Sequence, residues 1–397
     1  MTHATETPAA PAPTAAELAG RARGLFPLLR EQARRADDER HLTREMVEAH
    51  AAAGLIPIVV PTRFGGYGLG FNAIVDVAIE LGRASGSMGW VGCFWADHPQ
   101  WIALYPEQAQ VDVWGESPHV RVATSFAPLG RAERVDGGYL LSGDWPWASG
   151  VGWSDWVMLG AAVPDGEGRP VNHLFLVPVA EVTVVDTWYN AGLRGSGSDN
   201  VVAESVYVPE HRLVSMLAIR EGTAPGAELH RTPVFQAPLM THAGYGMLAP
   251  AIGIARGVID AWSETARSKS HTYTKEQLAA SLPMQLRLAE SAALVDAAEL
   301  TLRRRLDAVE SGEATTLEHR VRHRRDISFA MTLVTRAVDD LMQMAGAGAL
   351  RDESPIQRGW RDVRAIACHV MLNFNAAAEN YGRFALELPL NERDPFF

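Results

Sequence analysis

Indole rings and serine hydroxyls gather in one stretch of this chain, Ser142-Gly-Asp-Trp-Pro-Trp-Ala-Ser-Gly150, which continues as Val151-Gly-Trp-Ser-Asp-Trp156. Rings such as Trp145 and Trp147 can stack on a flat heterocycle, and a short hydroxyl such as that of Ser149 can meet a polar ring edge. Gly143 and Gly150 let main chain approach a ligand where a Cβ would clash. The chemistry suggested is edge-on binding of a planar aromatic cofactor. The same residues also suit a strand end whose alternate side chains simply join the core.

Other spacings carry less. His319 and His323 stand four apart in Glu318-His-Arg-Val-Arg-His-Arg-Arg325, without zincin order and among like charges, which marks a solvated basic face rather than a metal site. Gly346-Ala-Gly348 and Gly192 to Gly197 both miss a dinucleotide fingerprint, and Ser196 lacks a nucleophile elbow. Cys93 and Cys368 cannot make a disulfide framework, which points to a reducing cytoplasm. A formal charge of −11 speaks against general nucleic-acid binding, and no apolar run approaches the ~20 residues of a membrane span. No basic, then apolar, leader opens the chain, so export is not expected.

The elements that must position these residues follow from periodicity. With 397 residues, 47% of them hydrophobic, the chain can fill two or three packed domains. Residues 1–13, mostly Ala, Pro and Thr, predict a disordered tail. From 14 to 118 the period is helical. Thr14-Ala-Ala-Glu17 is a capping box opening a helix to about Ala36, and a second helix runs from after Leu42 to near Gly54. Asn72 caps a helix through Ala84, Ser87 opens one through Leu104, and Pro106 starts another ending near Trp114. Over 119–228 short alternating runs, including arms on either side of Asp136-Gly-Gly138, predict a compact antiparallel β domain. Over 229–397 the segments Leu239–Arg267, Pro283–Ser311, Leu317–Gly346 and Pro355–Leu386 predict a bundle of four long helices with faces suited to pairing with further copies.

That order of elements resembles the acyl-CoA dehydrogenase superfamily over nearly the whole chain. So do Phe64-Gly-Gly66, Asp144-Trp-Pro-Trp-Ala-Ser-Gly150, Gly192-Leu-Arg-Gly-Ser-Gly-Ser-Asp199, Val208-Pro209, Gln343-Met-Ala-Gly-Ala-Gly348 and Arg361-Asp362. The resemblance implies an α+β fold: an N-terminal helical domain, a central antiparallel β-barrel domain and a C-terminal four-helix bundle. A dehydrogenase of this superfamily needs a carboxylate base, yet neither Val363 to Met371 nor Met240 to Gly253 contains an acid. Arg361-Asp362 followed seven residues later by His369 instead resembles the oxygenase components of two-component flavin-dependent monooxygenases, the group of 4-hydroxyphenylacetate and 3-hydroxy-9,10-secosteroid hydroxylases. His98-Pro99, Ala123-Thr-Ser-Phe-Ala-Pro128 and the Trp-x-Trp-x-Ser-Gly loop share that likeness. A spacing of seven is about two helical turns, so Asp362 and His369 are expected on one helix face.

The resemblance implies reduced flavin, FMNH2 or FADH2, supplied by diffusion from a separate NAD(P)H:flavin reductase. Its reaction with O2 through a C4a-hydroperoxide would hydroxylate an aromatic, phenolic or polycyclic, small molecule. N- or S-oxygenation on the same scaffold is the alternative, and a dehydrogenase-like reaction a more distant one. Trp147 would lie against the isoalloxazine, Ser149 would meet flavin N5, and Thr124 and Gly150 would adjoin the cofactor. Gln343 and Gly346 would reach it across a subunit boundary of a homotetramer. His369 would support oxygen activation, while His98, with Ser125 as partner, would favour a substrate phenolate. Trp95 and Trp153 would line the substrate. Val151-Gly152-Trp153 replaces the Cys-Asp-His that aromatic hydroxylases often carry here, which implies a bulkier or more apolar substrate than a simple phenol. No metal is implied.

Overall fold

The structure, a computed structural model, describes residues 12–271, 273, 275–391 and 394. All but the last two residues of the expected tail over 1–13 lie outside them. The chain opens with α1 (Ala15–Gly24), α2 (Phe26–Glu39), α3 (Arg44–Ala52), α4 (Phe71–Ala84), α5 (Gly86–Ile102) and α6 (Glu107–Trp114). The Thr14–Glu17 capping box forms. The helix expected to follow it is two, because the chain turns at Leu25 and restarts with Pro27 in the first turn, where no amide donor is needed. Gly70 rather than Asn72 precedes α4, and Ser85 rather than Ser87 caps α5. The Asn72 N–H donates instead to the Glu310 carboxylate at 2.7 Å. A Cβ on Gly89 would stand 2.4 Å from the Gly82 Cα, so α4 and α5 approach backbone to backbone, as only glycine allows.

One sheet follows: β1 (Val122–Val135), β2 (Gly138–Ala148), β3 (Trp156–Pro164), β4 (Pro170–Pro178), β5 (Thr183–Val185), β6 (Asp199–Pro209) and β7 (Leu213–Ser215), in the order β5-β6-β2-β1-β3-β4-β7. The hairpin of β1 and β2 forms, with Val135 opposite Gly138. The antiparallel barrel does not. β1 and β3 run parallel, with Val122 beside Trp156, and the end strands β5 and β7 do not pair, so the sheet is mixed and open. Alternation marks a strand but not the neighbour it takes: β2 lies between β1 and β6, which leaves the other side of β1 to β3. Each edge strand is three residues long. Side chains alternate as the pleat requires. Val122, Met158, Leu174 and Leu176 join a cluster with Trp101 and Tyr105, while Ala123, Val157, Phe175 and Val177 join another with Leu141 and Val201.

Short helices α7 (Met216–Glu221), α8 (Pro225–His230) and α9 (Pro233–Gln236) lead into α10 (Tyr245–Ser268), α11 (Leu282–Glu310), α12 (Leu317–Met344), α13 (Pro355–Ala367) and α14 (Phe374–Ala385). The fourth expected long helix is therefore broken between Ala367 and Phe374. The break rests on side-chain caps: the His369 ring accepts from the Met371 N–H, and Asn373 accepts from the Ala376 N–H. Asp362 and His369 consequently share no helix face, contrary to the spacing argument. The largest apolar cluster joins α4 and α5 to α10–α13, so α5 is held by helices behind it and by the sheet in front. No helix among the described residues is long and apolar enough to cross a membrane.

Candidate active site

Trp90, Phe94, His98 and Trp101 recur along α5 at spacings of four, four and three, which places them on one face over roughly 16 Å of helix. Their rings are in sequence: Trp90 meets Phe94 edge-on at 4.7 Å, Phe94 stacks on His98 at 5.2 Å, and Trp101 meets Phe126 at 4.5 Å. Phe126 stands where the register of β1 against β3 slips between Ser125 and Gly130. The partner slip in β2, between Trp145 and Ala148, contains Trp147, which is left-handed at φ 68° with its side chain 68% exposed. Such irregularities re-aim side chains out of a regular ladder. The Ser125 hydroxyl donates to the Pro146 carbonyl at 2.8 Å and ties one slip to the other.

Ser149, next along, is bound to α5. Its hydroxyl accepts from the Trp90 indole N–H at 2.9 Å and lies 2.7 Å from the Ser198 hydroxyl, itself 2.8 Å from that of Ser196. The Gly150 N–H donates to the Ser196 carbonyl at 2.9 Å. The loop carrying both serines is clamped by the Arg361-Asp362 pair. The Leu193 N–H donates to the buried Asp362 carboxylate at 2.7 Å, and Arg361 donates to the Ala191 carbonyl and, at 2.9 Å, to Asp37 on α2. Burial raises the Asp362 pKa to about 6 even against the Leu193 hydrogen bond. Arg361 and Asp362 thus serve loop placement and do not aim His369.

His98 is buried, and its Nδ1 bonds the Val122 carbonyl. A carbonyl only accepts, so Nδ1 carries the hydrogen and Nε2 keeps its lone pair. That Nε2 is buried and has no hydrogen-bond partner among the described residues. Burial lowers the ring's pKa to about 4, so at neutral pH His98 is an uncharged acceptor, not the near-neutral base expected. α5 runs through Pro99 without a break. On the adjoining face Asp97 accepts from the Tyr245 hydroxyl and from Gln100 at 2.9 Å, and burial raises its pKa to about 6.

Several expected site residues take other places. Ser125 does not partner His98, its proton being committed to Pro146. The Thr124 hydroxyl donates to the Met158 carbonyl at 3.1 Å, across the parallel pair. Trp95 is fully buried behind the aromatic face, with its N–H on the Ser154 hydroxyl at 3.1 Å. Trp153 packs toward the N-terminal helices, its N–H on the Leu42 carbonyl at 3.1 Å and Arg44 over its ring. A Cβ on Gly150 would meet Val91 at 2.6 Å, so that glycine admits α5 rather than a ligand. His369 is partly buried and lowered to about 4 by burial. Its tie to the aromatic face runs through Met371, which lies in the cluster of Trp101 and Val122. Gln343 and Gly346 are exposed, at and just beyond the end of α12. Sequence reasoning missed Phe94, and it set Ser196 aside. The recurrence of aromatic residues at helical spacing along α5 was the available signal for Phe94; nothing local marks the serines.

The helical halves match two family models, the acyl-CoA dehydrogenase N-terminal domain over residues 28–110 and C-terminal domain over 245–374. The oxygenase subunit HsaA, a flavin-dependent monooxygenase of Rhodococcus jostii, is 34% identical over 93% of this chain and 98% of its own. The oxygenase component of the FADH2-dependent resorcinol hydroxylase of Rhizobium sp. is 34% identical over 94% of each. The solved HsaA monooxygenase of M. tuberculosis superposes with a TM-score of 0.89 at 32% identity, covering 96% of this chain and 99% of that one. Fold and site therefore define a protein of the acyl-CoA dehydrogenase architecture. Within it, this chain belongs to the oxygenase components of the flavin-dependent monooxygenases, enzymes that use reduced flavin and O2.

Proposed function

We propose that this oxygenase hydroxylates a phenolic or polycyclic aromatic small molecule that lies along the Trp90–Phe94–His98–Trp101 face of α5. The observation that carries the reading is the His98 Nε2: a buried lone pair, oriented by Val122 and left unpartnered among the described residues, on an otherwise aromatic wall. A phenol hydroxyl supplies the missing donor. Accepting that hydrogen bond moves electron density into the ring, and because burial keeps the imidazole uncharged, His98 would act by polarising the phenol O–H rather than by holding its proton outright. His369 would hold or deliver a proton at the other side of the reacting centre.

The residues suit a flat cofactor. Trp147 offers an exposed indole face, Ser149 an incompletely buried hydroxyl, and the dry wall of α5 limits water. Reduced flavin, when bound, supplies the two electrons that activate O2. Ser149 would bind its polar edge, with Trp147 against its face and Thr124 and Gly150 shaping the backbone beside it. Gln343 and Gly346, exposed as a subunit-crossing contact requires, would complete the cofactor site of a neighbour in a homotetramer. The exposed Leu282, Leu286 and Leu300 on α11 and Phe329 on α12 support such pairing. A separate reductase would supply the flavin, within the cytoplasm.

Phenols of one to three rings and their methyl ethers, offered with enzymatically reduced flavin and O2, test the reading. The phenols should be hydroxylated and the ethers not, and His98→Ala should lower phenol hydroxylation roughly a hundredfold while flavin oxidation continues. Ethers hydroxylated as fast as phenols would sink it.

A further inference from the structure

Ser149 is the end of a string of hydroxyls, and the direction of that string is decided by which protons have somewhere to go. The Trp90 indole can only donate, so one lone pair of Ser149 is filled from α5. Ser149, Ser198 and Ser196 then follow at 2.7 and 2.8 Å. Were the string to run from Ser149 outward, the last proton would belong to Ser196, which is 1% exposed and has no other hydroxyl acceptor recorded among the described residues. Run the other way, Ser196 donates to Ser198 and Ser198 to Ser149. Every proton inside the string is then used, and Ser149 is left with two filled lone pairs and one free proton directed away from both donors.

The string is also held in place. Its loop is fixed before the serines by the Leu193 N–H on Asp362 and after them by the buried Asp199, whose carboxylate accepts from the Thr187 and Trp188 N–H groups at 3.0 and 3.2 Å. The Ser196 carbonyl in turn accepts from the Gly150 N–H, so the backbones of the donor loop and of the turn that carries Ser149 are joined beside the hydroxyls.

We propose that Ser198, backed by Ser196, is a positioning residue that fixes the Ser149 hydroxyl as a donor toward the polar edge of bound flavin. This rests on the placement of Ser149 at the flavin. Ser198 and Ser196 would themselves touch neither substrate nor cofactor; they act by removing the alternative orientations of the Ser149 proton.

A double-mutant cycle over Ser149→Ala and Ser198→Ala tests this, read by reduced-flavin affinity in anaerobic titration, by hydrogen peroxide released per flavin oxidised, and by thermal midpoint. Loss of one oriented hydrogen bond should weaken reduced-flavin binding and raise peroxide release in Ser198→Ala about fivefold each, although Ser149 is still present. In the Ser149→Ala background the second substitution should change neither. Ser198→Cys, nearly the same volume with a weak donor, should fall between wild type and Ser198→Ala and guards against a packing artefact. Additive effects of the two alanine substitutions, or a Ser198→Ala that changes only the thermal midpoint, would overturn the proposal while leaving Ser149 at the flavin. A Ser149→Ala that alters neither affinity nor peroxide release would overturn the placement of Ser149 and the string's role with it.

Discussion

Trp147 is asked to satisfy two opposed requirements. Its φ of 68° lies where a side chain with a Cβ is strained, and yet an indole is what presents a flat face at this bulge. Trp147→Gly should therefore separate stability from binding. Relief of ~1–2 kcal/mol of left-handed strain at least offsets the ~0.5–1 kcal/mol of added chain entropy from glycine. The thermal midpoint should hold or rise while flavin affinity falls about tenfold, the loss of an aromatic contact of ~1.5 kcal/mol. Calorimetry and a binding titration on the same preparation check both signs. A lower midpoint together with unchanged affinity would mean that the ring belongs to the core.

Among the elements, α5 positions the most chemistry, and its place is set by glycine. Gly89→Ala forces a Cβ to 2.4 Å from the Gly82 backbone, where no flexible side chain can yield. Overpacking should cost about 1–3 kcal/mol and, by shifting the helix, should reduce hydroxylation more than it reduces flavin binding. Denaturant unfolding and steady-state kinetics read the two effects. The helices were legible because an apolar period of 3.6 is a local signal, as was the Thr14 cap. The parallel β1–β3 pair was not, since the same alternation serves either direction. The break after Ala367 was missed because Cys368-His-Val-Met-Leu-Asn373 has neither Gly nor Pro and keeps a helical apolar period; the one mark of it is Asn373 as a cap. In the proposed site, Trp147 and Ser149 stood out as candidates because they sit within a few residues of each other. Ser198 and Ser196, some fifty residues further along, could not, since a side-chain hydrogen bond across the fold leaves no periodic trace.

At the scale of the whole molecule, buried histidines set the response to acid. Burial lowers His50 and His242 to about 3 and His98, His323 and His369 to about 4, from an ordinary 6.5. Between those limits the unfolded chain binds more protons than the folded one, so their stabilisation is full above 6.5 and is lost as pH falls toward 4. Asp97 and Asp362, both raised to about 6, act in the opposite sense from pH 6 down to the ordinary carboxylate range, whereas His41, raised by its hydrogen bond to Asp199, acts only above 6.5. Five lowered imidazoles oppose two raised carboxyls between pH 6.5 and pH 4, so the denaturation midpoint should drop over that range, and a flat profile would show the imidazoles to be hydrated. The open sheet has a quieter consequence. A row of free amides and carbonyls at a sheet margin is where stray chains can zip on and seed fibres, but here each margin is a strand only three residues long. Too little template is on offer for such growth to take hold, so the sheet can stay unclosed without making a crowded solution of the enzyme prone to fibrous clumping.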